Sequence, residues 1–89
     1  MTNRKIVTIQ NSRGLHARAA AKFVSTADQF DAEISVSRGG QTVSGVSIMG
    51  LMMLAAGPGA EIEILTAGPD ATDALSSLVS LVENKFEET

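Results

Sequence analysis

The chain contains a single histidine, His16, set in Asn11-Ser12-Arg13-Gly14-Leu15-His16-Ala17-Arg18-Ala19-Ala20-Ala21-Lys22-Phe23-Val24. Ile6 to Ile9 before it reads as a strand, and Ala17 onward reads as a helix. Asn11, Ser12 and Gly14 are turn formers, and glycine accepts positive φ without steric cost. His16 therefore falls at a strand-to-helix corner, at or beside the helix cap. The first N–H groups of a helix lack internal partners and carry partial positive charge, so an anion such as phosphate is stabilised there. The same field disfavours imidazolium, and a neutral ring nitrogen can act as a nucleophile. Arg13 in the loop and Arg18 in the first helical turn can pair with phosphate oxygens. These residues are suited to accepting a phosphoryl group on histidine. The competing reading is a solvated surface histidine next to a helix start.

Other chemistries have less to build on. Without cysteine there is no thiolate nucleophile, disulfide framework or cysteine metal site. One histidine gives neither a catalytic triad nor a metal-ligand set, so an independent hydrolase is poorly supported, and no metal or cofactor is expected. Gly57-Pro58-Gly59 reads as a turn; no Gly-Lys-Ser/Thr follows it, which excludes a phosphate-binding nucleotide loop. A net charge of −3 and an aromatic content of only three phenylalanines argue against nucleic acid as a partner. The charge is uneven. Arg4, Lys5, Arg13, Arg18, Lys22 and Arg38 lie in the first half, whereas Glu61, Glu63, Asp70, Asp73, Glu83, Glu87 and Glu88 lie in the second. One consequence would be a positive rim around His16 that attracts an acidic, phosphorylated partner. Ordinary solubilising charge would give the same pattern.

The elements that must position this stretch follow from periodicity. Arg4 to Gln10 alternates, with Val7 and Ile9 on one face and Ile6 and Thr8 on the other. Ala17 to about Asp28 is a helix whose Ala20, Phe23, Val24 and Ala27 should pack on a sheet, with Arg18, Lys22 and Ser25 toward solvent. Ala32 to Ser37 alternates as a strand, Gly39-Gly40 marks a hairpin, and Gln41 to Ser44 pairs back. Ser47 is placed to N-cap a short helix from Ile48 to about Leu54. That helix is apolar almost all round. Leu51 and Leu54 can be buried, which leaves Ile48, Met49 and Met52 as either an adaptable docking patch or core. Glu61 to Ala67 is a fourth strand with Ile62, Ile64 and Thr66 on one face. Asp70 reads as the N-cap of a last helix, whose apolar stripe runs from Ala71 to Phe86. The Glu87-Glu88-Thr89 tail should fray. The order β-α-β-β-α-β-α gives an α+β open-faced sandwich in one domain, residues 1–89. The chain start lacks a signal-peptide pattern, and the longest apolar stretch, Val46 to Ala56, is far short of a bilayer span. A cytoplasmic protein without membrane insertion is expected.

Gly14-Leu15-His16-Ala17-Arg18 with Ala20-Ala21-Lys22-Phe23-Val24, Ser47 to Ala55, and Gly68-Pro69-Asp70-Ala71 together resemble HPr, the histidine-containing phosphocarrier family of the bacterial sugar phosphotransferase system. The resemblance covers nearly the whole chain in order. It implies a four-stranded antiparallel sheet in the order 1-4-2-3, covered on one face by three helices. It implies that His16 takes a phosphoryl group through Nδ1 from phosphorylated enzyme I and passes it to an enzyme IIA-type acceptor. That transfer would serve either sugar uptake or a nitrogen-related regulatory branch. Arg18, with the amide end at Ala17, would hold the phosphate. Ser47 matches a regulatory serine modified in some bacteria by HPr kinase/phosphorylase, and Ile48, Met49 and Met52 match the surface used for docking. A phosphate on Ser47 would sit at a helix start and repel an acidic partner. An alternative is a regulatory binding module that acts mainly through Ser47, Ile48, Met49 and Met52. The protein would be a monomeric carrier, not an enzyme. Two positions depart from the family pattern. Ala19 stands where proline usually follows the arginine, which would remove a ring from the docking surface, and Val46 stands where lysine is frequent.

Overall fold

Alternating strands and apolar-striped helices assemble into a sheet with helices on one side. A computed structural model describes residues 2–88. The elements are β1 (Thr2–Thr8), α1 (Ala17–Ala27), β2 (Glu33–Arg38), β3 (Gln41–Ser44), α2 (Ile48–Met53), β4 (Glu61–Ala67) and α3 (Ala71–Glu83). A short 3-10 turn, Lys85–Glu87, follows α3. The sheet is antiparallel with strand order β1-β4-β2-β3. This is the α+β open-faced sandwich expected from the sequence.

Register follows burial. Val7 lies opposite Ile62, and Val36 lies opposite Ile64. These four, with Ile34 and Thr66, form the inner face of the sheet. A one-residue slip would turn every one of them to solvent, so the hydrophobic pattern pins the pairing. Ala19, Ala20, Phe23 and Ala27 of α1, Leu51 of α2, and Ala74, Leu78 and Val82 of α3 cover that face. Each large apolar side chain removed from water contributes on the order of 1.5–3 kcal/mol. The alanines let α1 approach closely, and α1 also packs against α2 and α3.

Several boundaries differ from the sequence reading. β1 starts two residues earlier than expected and ends at Thr8. Pairing nevertheless continues past it: the Ile9 N–H donates to the Ala60 carbonyl at 2.8 Å, and the Gly59 N–H donates to the Ile9 carbonyl at 2.8 Å. Asp70 precedes α3, but its side chain makes no cap hydrogen bond to that helix. Its carboxylate instead accepts the Asp31 N–H at 2.7 Å, which ties the α1–β2 loop to the start of α3. The last helix ends at Glu83, not near Phe86. Lys85, Phe86 and Glu87 then take φ values of 57°, 55° and 62°, a left-handed turn that folds the chain back and buries Phe86 completely.

Candidate functional site

The loop before His16 is fixed by backbone geometry. The Gly14 N–H closes a β-turn on the Asn11 carbonyl at 3.2 Å. Gly14 has φ of +64°, and a Cβ there would stand 2.4 Å from the Ala56 carbonyl oxygen. That carbonyl accepts the Leu15 N–H at 2.9 Å. Glycine is therefore required at Gly14 twice over, for its positive φ and for the close approach. Asn11 is buried, and its Nδ2 donates to the Gly14 carbonyl at 2.8 Å and to Glu88 Oε1 at 3.2 Å. It is more than a turn former: it locks the loop and reaches the C-terminal tail.

His16 is the N-cap residue of α1, with extended backbone at φ −77° and ψ −179°. Its carbonyl accepts the first intrahelical bond, from the Ala20 N–H at 2.9 Å. The amides of Ala17, Arg18 and Ala19 are therefore the ones left without an intrahelical partner. The imidazole makes no cap hydrogen bond to the helix. Its side chain keeps 19% of its surface exposed, and Nε2 lies 2.5 Å from Glu88 Oε2.

That contact corrects two expectations. The tail does not fray at Glu88: its carboxylate meets His16 and Asn11. Lys22 holds the preceding turn by donating from Nζ to the Phe86 carbonyl at 2.9 Å, with Glu87 at 3.8 Å. Thr89 lies outside the described residues. Nor is the rim simply positive. A shallow cavity of about 250 Å³ brings His16 together with Arg13, Arg18 and Lys22, but also with Glu87 and Glu88. The acids that sit far away in sequence are folded back against the cations. The Glu88 carboxyl is held below the ordinary carboxylate range, first by its hydrogen bond with His16. Desolvation opposes this, while the Asn11 hydrogen bond and the charges of His16 and Arg13 add to it. An ionised carboxylate only accepts, so Nε2 is the donor and carries the ring hydrogen. In the neutral ring the lone pair is then on Nδ1. No sequence signal pointed to Glu88, because the partners are 72 residues apart.

Ala19 is fully buried against the core. What differs from proline at this third helical position is the backbone, since alanine supplies an amide hydrogen at the helix end.

Ser47 is the N-cap of α2, and its Oγ accepts the Gly50 N–H at 3.0 Å. Leu51 and Leu54 are buried as expected. Ile48, Met49 and Met52 are exposed, Met49 by 70%, as are Met53 and Val46. Val46 in place of lysine thus puts an exposed apolar side chain next to Ser47 in the chain. Among the described residues, no cluster of three or more His, Cys, Asp or Glu could hold a metal ion, and no helix is long and apolar enough to cross a membrane.

Comparison with known proteins gives a consistent result. The family model described as "PTS HPr component phosphorylation site" matches residues 3–84. A phosphocarrier protein HPr of Cupriavidus necator is 47% identical over 81 residues, which is 91% of each chain. A phosphocarrier protein NPr of Shewanella violacea is 48% identical over 82 residues, 92% of this chain and 90% of its own. The crystal structure of HPr-C-His from Thermoanaerobacter tengcongensis superposes with a TM-score of 0.93 at 39% identity, covering 98% of both chains.

Proposed function

The chain belongs to the HPr family of phosphocarrier proteins of the phosphotransferase system, and from that premise we propose that His16 is the residue that carries the phosphoryl group. It accepts the group on Nδ1 from phosphorylated enzyme I and hands it to an enzyme IIA-type acceptor. The observation that carries this reading is the position of the ring. An N-cap imidazole that caps nothing stands at a helix end whose free amides and neighbouring Arg18 and Arg13 suit a phosphate. Arg18 and the Ala17 amide steady the phosphoryl oxygens while the nucleophilic nitrogen stays accessible. The shallow, partly solvated cavity suits a carrier, because a phosphoryl group enclosed by many donors would be slow to leave.

Partners dock over the exposed Ile48, Met49 and Met52 beside the site, and the flexible methionines adapt to more than one surface. Phosphorylation of Ser47 would add charge at the start of α2 on the edge of that patch and weaken docking of an acidic partner. HPr and NPr relatives match at nearly equal identity, so both the sugar-uptake and the nitrogen-related branch supply candidate acceptors.

The test is to incubate the purified protein with enzyme I, magnesium and labelled phosphoenolpyruvate. An acid-labile, base-stable label is expected on wild type and none on His16→Ala. Label persisting on His16→Ala would exclude His16 as the sole acceptor.

A further inference from the structure

The chain has four methionines and no Cys, Trp or Tyr, so its readily oxidised side chains are thioethers. Met1 lies outside the described residues, and the other three, Met49, Met52 and Met53, all belong to α2. Spacings of three and four residues bring them to one side of that helix. They are exposed by 70%, 39% and 65%. Other groups hold the helix in place. Leu51 and Leu54 are buried, the Ser47 hydroxyl accepts the Gly50 N–H at 3.0 Å, and Arg38 donates from Nη1 to the Leu54 carbonyl at 3.0 Å. The thioethers therefore belong to the outer surface of α2 and contribute little to the fold.

We propose that Met49, Met52 and Met53 form an oxidation site for peroxide, at which conversion of thioether to sulfoxide blocks docking on α2 and so slows loading of His16. The proposal rests on the phosphocarrier reading above. In the step, a sulfur lone pair attacks one oxygen of hydrogen peroxide. An S–O bond forms as the O–O bond breaks, and the departing hydroxide takes the proton from the attacked oxygen and leaves as water. Sulfur loses two electrons and peroxide gains them. The exposed sulfurs are reached without opening the domain. A flexible apolar side chain becomes a polar one. The sequence of α2, Ile-Met-Gly-Leu-Met-Met, offers no side-chain donor to the new oxygen. On docking that oxygen must give up water, and a polar group buried without a hydrogen bond costs binding free energy. His16, with 19% of its side chain exposed and Nε2 against Glu88, keeps its own chemistry. Methionine sulfoxide reductases return the thioether, so the change is reversible.

The experiment treats the full-length protein with hydrogen peroxide, removes the oxidant, and then adds enzyme I, magnesium and labelled phosphoenolpyruvate. Peptide mass spectrometry locates the sulfoxides, which should appear at Met49 and Met53 before Met52. The KM for the carrier should rise about tenfold, the loss that one important interface residue brings, while kcat and the thermal midpoint are kept. Reductases for both sulfoxide epimers should then restore the original KM. A triple variant, Met49→Leu with Met52→Leu and Met53→Leu, keeps the apolar volume without sulfur. Compared with its own untreated sample, it should lose nothing on the same treatment. An unchanged KM with all three sulfoxides in place would overturn the oxidation site and leave the carrier reading intact. So would a loss that the reductases do not reverse, that the triple variant shares, or that comes with a lowered thermal midpoint. Absence of label on untreated wild type would overturn the carrier reading and this one together.

Discussion

Truncating Phe86 to alanine tests whether the C-terminal turn is held by packing. The side chain is completely buried and belongs to the main core cluster. A Phe→Ala change in a rigid core destabilises by about 3–5 kcal/mol through lost transfer energy plus an unfilled cavity. Here the turn has a second response. Lys85, Phe86 and Glu87 sit in the left-handed region, at about 1–2 kcal/mol per residue. Letting the turn go recovers that strain but forfeits the Lys22 and Glu88 contacts that the turn carries, so only part of it, about 1–2 kcal/mol, offsets the cavity loss. The expected decrease in unfolding free energy is therefore about 2–3 kcal/mol. At 4–8 °C per kcal/mol for a domain of this size, the melting temperature should fall by roughly 8–24 °C. Urea unfolding monitored by circular dichroism measures the first quantity, and a thermal scan measures the second. Release of the turn should also free Glu88, so NMR titration of its carboxyl in Phe86→Ala should return toward the ordinary glutamate range. A loss below about 1 kcal/mol, or a Glu88 carboxyl still held low, would refute the claim that buried Phe86 holds the tail at His16.

Gly14→Ala should destabilise by more than about 2 kcal/mol in urea unfolding, since it combines a left-handed φ with a Cβ driven into the Ala56 carbonyl; wild-type stability would contradict the loop geometry. The tie between Glu88 and His16 has a definite pH sense. A carboxyl whose folded value is depressed contributes fully above its ordinary pKa and loses that contribution as pH falls through the lowered value, so the tail should detach only in acid. In His16→Ala the Glu88 midpoint, followed by carboxyl NMR, should rise because the largest cause of its depression is gone, and an unmoved midpoint would contradict that assignment.

Elements whose geometry is decided locally were legible in the sequence. The alternation of Ile62, Ile64 and Thr66 gave β4 its bounds and its buried face, because period-two patterning and pleat are the same constraint. Ser47 was readable as a cap because the hydroxyl-to-amide contact spans only three residues. Asp70 had the same type and position, yet its carboxylate was drawn to the Asp31 amide, a partner 39 residues away that no local rule ranks. Phe86 continued the apolar stripe of α3 on paper, but the helix ends before it and a turn delivers the ring to the same core. Burial was predictable there and backbone path was not. The strand order came from family resemblance, since pairing between segments leaves no local trace. Glu88 was the hardest residue to foresee, because an acidic residue at a chain end is read as solvated by every local criterion.

A helix end by itself attracts an anion but does not decide which nitrogen of an imidazole is available. At His16 the backbone carbonyl starts the helix and the side chain is released from capping, so the ring orientation is left to other contacts. The described contact that takes up this freedom comes from the opposite end of the chain, through Glu88. It engages Nε2, so in the neutral ring the lone pair is on Nδ1. The arrangement also separates two demands that conflict at a closed site. The ring is met by a carboxylate anchored by buried Phe86 and Asn11, while Arg18 lines the same shallow cavity and part of the imidazole stays exposed. A residue proposed to be loaded by one protein and emptied by another needs a fixed nucleophile and an unobstructed approach. Placing the orienting group on a folded-back tail supplies the first without closing off the second.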